Sequence, residues 1–177
     1  MIDSERSYTQ SVYKAAGYIK SKISEGEIPT ICVVLCSGLS RLAEQCDIEL
    51  SIPYDNIPAF PVSTVPGHEG RLLIGTLEGK RVFMMSGRFH YYEGYDTSVC
   101  TFYVRVMSIL GVKTLYLTNA AGGISDQINP AELMAVTDHL SFFCESPLIG
   151  PNLDEFGVRF PDQSQVYDPE YISILEK

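Results

Sequence analysis

Positive charge is scarce in this sequence. Thirteen Lys and Arg stand against twenty-two Asp and Glu in 177 residues, which gives a net charge of −9 and a pI near 4.7. That balance argues against a broad nucleic-acid face, which is built from clustered cations that displace counterions from phosphates. Long apolar runs are missing too, and none approaches the roughly 18 residues of a membrane span. The opening Met1-Ile2-Asp3-Ser4-Glu5-Arg6 has no basic stretch leading into an apolar one, so a cytoplasmic protein is expected, with no nucleic acid and no membrane among its partners. The five cysteines (32, 36, 46, 100 and 144) form no Cys-x-x-Cys pair and their number is odd. Reduced, mostly buried thiols are expected in place of a disulfide or zinc framework. The three histidines, 68, 90 and 139, are too scattered for a metal site. Neither Gly-x-x-x-x-Gly-Lys nor Gly-x-Gly-x-x-Gly occurs, which argues against a nucleoside-triphosphate loop and a dinucleotide fingerprint. Disorder is excluded by 45% hydrophobic and only 20% charged residues.

What is present reads as one domain over residues 1–177, since domains average roughly 150 residues. Ser4 is placed to cap a helix whose Tyr8, Val12, Ala15, Ala16, Ile19 and Ile23 recur every three or four residues, ending near Gly26 and Pro29. Ile31-Cys32-Val33-Val34-Leu35 is a short unbroken apolar run, the pattern of a strand covered on both faces. It exits into Cys36-Ser37-Gly38, after which Leu39 to Cys46 reads as helix. Four prolines make residues 51–70 irregular. Leu72 to Leu77 and Arg81 to Met85 flank Glu78-Gly79, a hairpin signal. Thr97 caps a helix with Val99, Phe102, Tyr103, Val106, Ile109 and Leu110 on one face, stopped by Gly111. Lys113 to Leu117 reads as a second inner strand and Leu133 to Val136 as a third. Residues 140–167 form a long loop, and Asp168-Pro169 opens a last helix. The alternation gives an α/β class with a mixed, mainly parallel sheet flanked by helices.

In open α/β sheets, ligands bind beyond the carboxyl ends of strands. Three such exits are chemically unusual: Ser37-Gly38, Gly87-Arg88-Phe89-His90, and Ala120-Ala121-Gly122-Gly123. Small residues let backbone approach a ligand, Arg offers a two-pronged donor, and Ser and His offer single donors. Together they describe an oxyanion pocket suited to phosphate. Taken singly, Ser37-Gly38 and Gly122-Gly123 are turns, Arg88 a surface cation, His68 a loop residue and His90 a satisfied histidine. Their common location at strand exits gives them weight. Asp138-His139 reads equally as a catalytic pair or as a hydrogen-bonded strand end.

Longer motifs extend the pattern. Ser37-Gly38-Leu39, Pro66-Gly67-His68-Glu69-Gly70, Gly87-Arg88-Phe89-His90-x-Tyr92-Glu93-Gly94-Tyr95, Thr118-Asn119-Ala120-Ala121-Gly122-Gly123, Asp138-His139 and Gly150-Pro151-Asn152…Phe156-Gly157-x-Arg159-Phe160-Pro161 occur in this order. On these residues the sequence resembles the purine nucleoside phosphorylases of the trimeric, low-molecular-mass class, over residues 10–177. The resemblance implies reversible phosphorolysis: phosphate attacks C1′ of a purine (deoxy)ribonucleoside and releases base and (deoxy)ribose 1-phosphate with inversion. It implies purine salvage, a homotrimer, no metal, and no cofactor beyond phosphate as co-substrate. Ser37, His68, Arg88, His90 and the Ala120 backbone N–H would hold phosphate, with His90 and Arg88 acting in catalysis. Tyr92 would touch the ribose, and Phe160 would reach a neighbouring subunit's site.

The sequence departs from that family where Cys36, Ser40 and Ala131 replace glycines. The family's C-terminal segment, which recognises the purine, has no counterpart here. Two readings follow: a phosphorylase, or an inactive truncated paralogue or isoform that binds phosphate or assembles with full-length subunits.

Overall fold

The computed structural model describes residues 2–24, 26–36, 38–39, 41–62 and 69–176, and the side chains of residues 2–6 are not described. The chain divides into two units, Met1–Ala120 and Ala121–Lys177.

The first unit is an α/β layer structure. Helix α1 (Ile2–Lys22) starts before Ser4, so Ser4 sits inside it and does not cap it. Its Val12, Ala15, Ala16 and Ile19 are buried, as the three- and four-residue spacing requires. Strand β1 (Ile31–Leu35) follows, then a single helical turn α2 (Arg41–Glu44), shorter than the Leu39–Cys46 span expected. Strand β2 (Asp47–Pro53) occupies the start of the stretch read as irregular. It pairs antiparallel with β3 (Arg71–Leu77) through a bulge between Ile48 and Leu50. Gly75 is required opposite that bulge, because a Cβ there would collide with the Asp47 carbonyl and the Cys46 sulfur. Strand β4 (Lys80–Ser86) returns antiparallel to β3.

The helical stretch after the hairpin breaks at Thr101 into α3 (Thr97–Cys100) and α4 (Phe102–Leu110). Asp96, not Thr97, takes the N-cap position, and Gly111 (φ 95°) closes α4. Strand β5 (Thr114–Leu117) completes a mixed sheet of order β2-β3-β4-β1-β5. Here β4, β1 and β5 run parallel, while β2, β3 and β4 are antiparallel neighbours.

Alternation along β1 serves both faces of the sheet. Val33 and Leu35 join Leu73, Val82 and Met84 in a cluster covered by Ala43 and Cys46, with Leu39 and Leu42 packed against it. Cys32, Val34, Phe83 and Met85 point the other way and are fully or nearly fully buried. On α1 and α4, Tyr8 meets Phe102 edge-on at 5.6 Å between ring centroids. None of the five cysteines is in a disulfide, and burial pushes the Cys32 thiol up to about 12.

β5 is an edge strand, half covered, with Tyr116 and Leu117 exposed. Its apolar run had read as doubly covered, but among the described residues only β1 pairs with it.

The second unit contains one 3₁₀ turn at Asp154–Phe156 and the helix α5 (Pro169–Leu175). Asp168 caps α5 as expected, its carboxylate accepting the Glu170 N–H at 2.9 Å. Leu133 to Val136 is not a strand. An extended segment becomes a strand only through a ladder partner, and none pairs with it among the described residues. No described residue of this unit is buried.

The β3–β4 turn places both Glu78 (φ 47°) and Gly79 (φ 72°) at positive φ, the geometry of a type I′ hairpin. Glu tolerates that conformation poorly and Asn tolerates it well. Glu78→Asn is expected to stabilise the fold by about 0.5 kcal/mol, read as a higher urea midpoint. A lower midpoint would mean the Glu78 side chain contributes more than the strain it bears.

Candidate functional site

The three parallel strands finish level. Leu35 of β1 pairs with Ser86 of β4, and Val34 pairs with Leu117 of β5, so their carboxyl ends lie side by side, where ligands bind in open α/β sheets. Gly87 leaves β4 with φ 107°, a left-handed conformation that suits glycine. Its carbonyl accepts a hydrogen bond from the Tyr54 hydroxyl at 2.8 Å, and Tyr54 is only 1% exposed.

Two residues further on, Phe89 is buried among Tyr54, Phe60 and Tyr103, with ring centroids 5.2, 6.0 and 6.5 Å away. Its neighbours Arg88 and His90 meet each other: Arg88 Nε donates to His90 Nε2 at 3.0 Å. Arginine can only donate, so His90 Nε2 is the acceptor in this contact. His90 Nδ1 lies 2.6 Å from Glu93 Oε1, and the same oxygen accepts the His90 backbone N–H at 3.0 Å. The Tyr92 ring stacks on the imidazole at 4.7 Å and 18°, while remaining 75% exposed.

Arg88 has a second anchor. Its Nη1 donates to the Thr118 carbonyl, just past β5, at 2.7 Å. Nη2 hydrogen-bonds to none of the described residues. Burial raises the Tyr103 phenol to about 12; Cys32 adds to the rise, and the Arg88 guanidinium opposes it. Burial also holds the Tyr54 phenol well above its usual range, so both phenols stay neutral at ordinary pH.

Arg88, His90 and Tyr92 therefore lie together. Ala120 lies exposed two residues past Thr118. Ser37 and His68 lie outside the described residues. Phe160 belongs to the other unit, 86% exposed, with the Arg159 guanidinium 5.6 Å over its ring. Asp138 and His139 do not form a dyad. The Asp138 carboxylate accepts the His139 backbone N–H at 2.8 Å, and the imidazole pairs with the Tyr167 hydroxyl instead. Burial, then the Asp138 charge, raises the Tyr167 phenol.

Three contributors were not among the candidate site residues. Glu93 carried a signal, its His-x-x-Glu spacing. Thr118 acts partly through its backbone and carried none. Tyr54 was hidden in a proline-rich stretch.

Residues 30–177 match the phosphorylase superfamily. The chain is 49% identical over 166 residues to purine nucleoside phosphorylase 1 of Bacillus subtilis, covering 94% of this chain and 60% of that protein. It superimposes on a Schistosoma purine nucleoside phosphorylase in complex with hypoxanthine, with a TM-score of 0.85 at 38% identity, covering 93% of this chain and 58% of that one. An isoform 2 of purine nucleoside phosphorylase from Schistosoma mansoni, in complex with cytosine and ribose-1-phosphate, gives a TM-score of 0.80 at 40% identity, again over 93% and 58%. The chain thus spans about three-fifths of the length of these relatives.

Tyr54→Phe removes the donor to the Gly87 carbonyl and leaves that acceptor buried. A loss of about 1–3 kcal/mol in urea unfolding is expected. An unchanged midpoint would mean that water replaces the hydroxyl.

Proposed function

This chain belongs to the phosphorylase superfamily, and on that premise we propose that it carries the phosphate-binding half of a purine nucleoside phosphorylase site. The observation that carries the reading is the guanidinium of Arg88, fixed by the Thr118 carbonyl and His90 Nε2 at the common end of three parallel strands, with Nη2 left for a ligand.

In this reading phosphate sits between Arg88, His90, Ser37, His68 and the Ala120 N–H, with His90 donating once Nε2 carries a proton in place of accepting the Arg88 Nε–H. Phosphate is the co-substrate, and the chemistry calls for no metal or other cofactor. Held beneath C1′ of a purine nucleoside, the dianion serves twice. One oxygen attacks C1′ while the C1′–N9 bond breaks, and its charge stabilises the oxocarbenium-like transition state. Prearranged donors matter because a donor already in place needs no reorganisation as charge develops. Tyr92, stacked on His90, is placed to flank the ribose. The products are purine base and ribose 1-phosphate, and the biological setting is purine salvage.

Both units belong, in this reading, to one incomplete domain, and Phe160 serves a neighbouring subunit of a homotrimer. No described helix is long and apolar enough to cross a membrane, and cysteines outside any disulfide suit the reducing cytoplasm.

A second reading has its own support. The chain covers 60% of a relative's length, and no described residue of 121–177 is buried. An inactive piece that retains phosphate binding, or that assembles with full-length subunits, fits those facts.

Calorimetric titration with inorganic phosphate, alongside an inosine phosphorolysis assay, tests both. Arg88→Ala is expected to weaken phosphate binding by about 2 kcal/mol, about thirtyfold, by removing a charge-assisted donor. Unchanged affinity would refute the placement of the anion. Phosphate binding by the wild-type chain without inosine turnover would favour the second reading.

A further inference from the structure

We infer that Thr118 is the positioning residue of this site: its side chain latches the β1 and β5 exits together, and its backbone then holds Arg88. The inference deepens the anion-site reading and rests on it.

The Thr118 hydroxyl donates to the Val34 carbonyl at 2.8 Å and accepts the Cys36 backbone N–H at 3.0 Å. The Thr118 N–H donates to the same Val34 carbonyl at 3.2 Å. A hydroxyl is the smallest group that can give and take at once, and here it continues the β1–β5 pairing one step past the last register pair, Val34–Leu117.

The latch acts at two places. Cys36 is the first residue past β1, so fixing its amide sets where the chain leaves that strand. The Thr118 carbonyl is the acceptor for Arg88 Nη1, so fixing Thr118 sets the guanidinium and, through Arg88 Nε, the imidazole of His90. One side chain thereby ties the exits of β1 and β5 to the donors that leave β4. Thr118 lies at the edge of the sheet, where no further strand among the described residues restrains it. The hydroxyl supplies that restraint.

Thr118→Val keeps shape and volume and deletes the hydroxyl; Thr118→Ser keeps the hydroxyl. The test is calorimetric titration of the full chain with inorganic phosphate, at a temperature where circular dichroism shows equal folded fractions, with amide exchange followed at Cys36. Thr118→Val is expected to weaken phosphate binding by about tenfold, the scale of a misplaced binding group. Cys36 exchange should accelerate in the same variant. Thr118→Ser should restore both to near wild-type values, which a purely structural role would not couple. If Thr118→Val does not fold, Thr118→Ala carries the same expectations. Wild-type affinity in a folded hydroxyl-less variant would overturn the positioning role alone. Absence of phosphate binding by the wild-type chain would overturn the anion-site reading and this inference with it.

Discussion

The hydrogen bond from Arg88 to the Thr118 carbonyl joins groups thirty residues apart in sequence, at 2.7 Å. It depends on β4, β1 and β5 running parallel and finishing level, since a register slip in either pairing would carry the carbonyl out of reach. In a parallel sheet, register follows from which side chains must be covered. Val33, Leu35, Val82 and Met84 fill one face, while Cys32, Val34, Phe83 and Met85 fill the other. A slip by one residue would exchange the two sets. The core thus sets the register, the register aligns the strand exits, and the aligned exits place the Arg88 guanidinium.

Electrostatics follows the same local logic. A net charge of −9 repels an anion at a distance, but charges are largely screened beyond about 8 Å at physiological salt. On the proposed reading, phosphate affinity comes from contact donors and not from the overall field. That makes the rigidity of those donors the controlling quantity. Arg88 loses freedom at both ends of its guanidinium, and His90 is held by Glu93 at the ring and at its own backbone N–H. Tyr54 and Tyr103 stay neutral beside this network, so neither phenol adds a competing negative charge.

Much of this was legible in the sequence, for identifiable reasons. β1, the β3–β4 hairpin, the α4 face and the Asp168 cap are local patterns, and local patterns survive folding when neighbours agree with them. β2 was lost although Ile48, Leu50 and Ile52 alternate, because the prolines that follow drew the whole stretch into a loop. With β2 went Tyr54, the anchor of Gly87. Leu133 to Val136 failed in the opposite sense: the composition of a strand is there, but no ladder partner is. In the site, Arg88 and His90 announced themselves by residue type. Thr118 did not, because half of its role belongs to a backbone carbonyl, which every residue has.

The two units differ in what can hold them. Ordering a residue costs about 1–2 kcal/mol in backbone entropy, and buried apolar surface is the main compensation. The first unit has that compensation on both faces of its sheet. The second has no buried described residue, and it leaves Phe142, Phe143, Leu133 and Phe160 at least 80% exposed. Its order therefore requires cover that its own residues do not supply. The proposed functions divide along the same line. Anion capture uses groups whose positions the first unit fixes internally, namely Arg88, His90 and Thr118. Recognition of a nucleoside through Phe160 uses a segment without a core of its own. On the proposed reading, phosphate binding persists where turnover does not, because the two depend on surfaces of very different self-sufficiency.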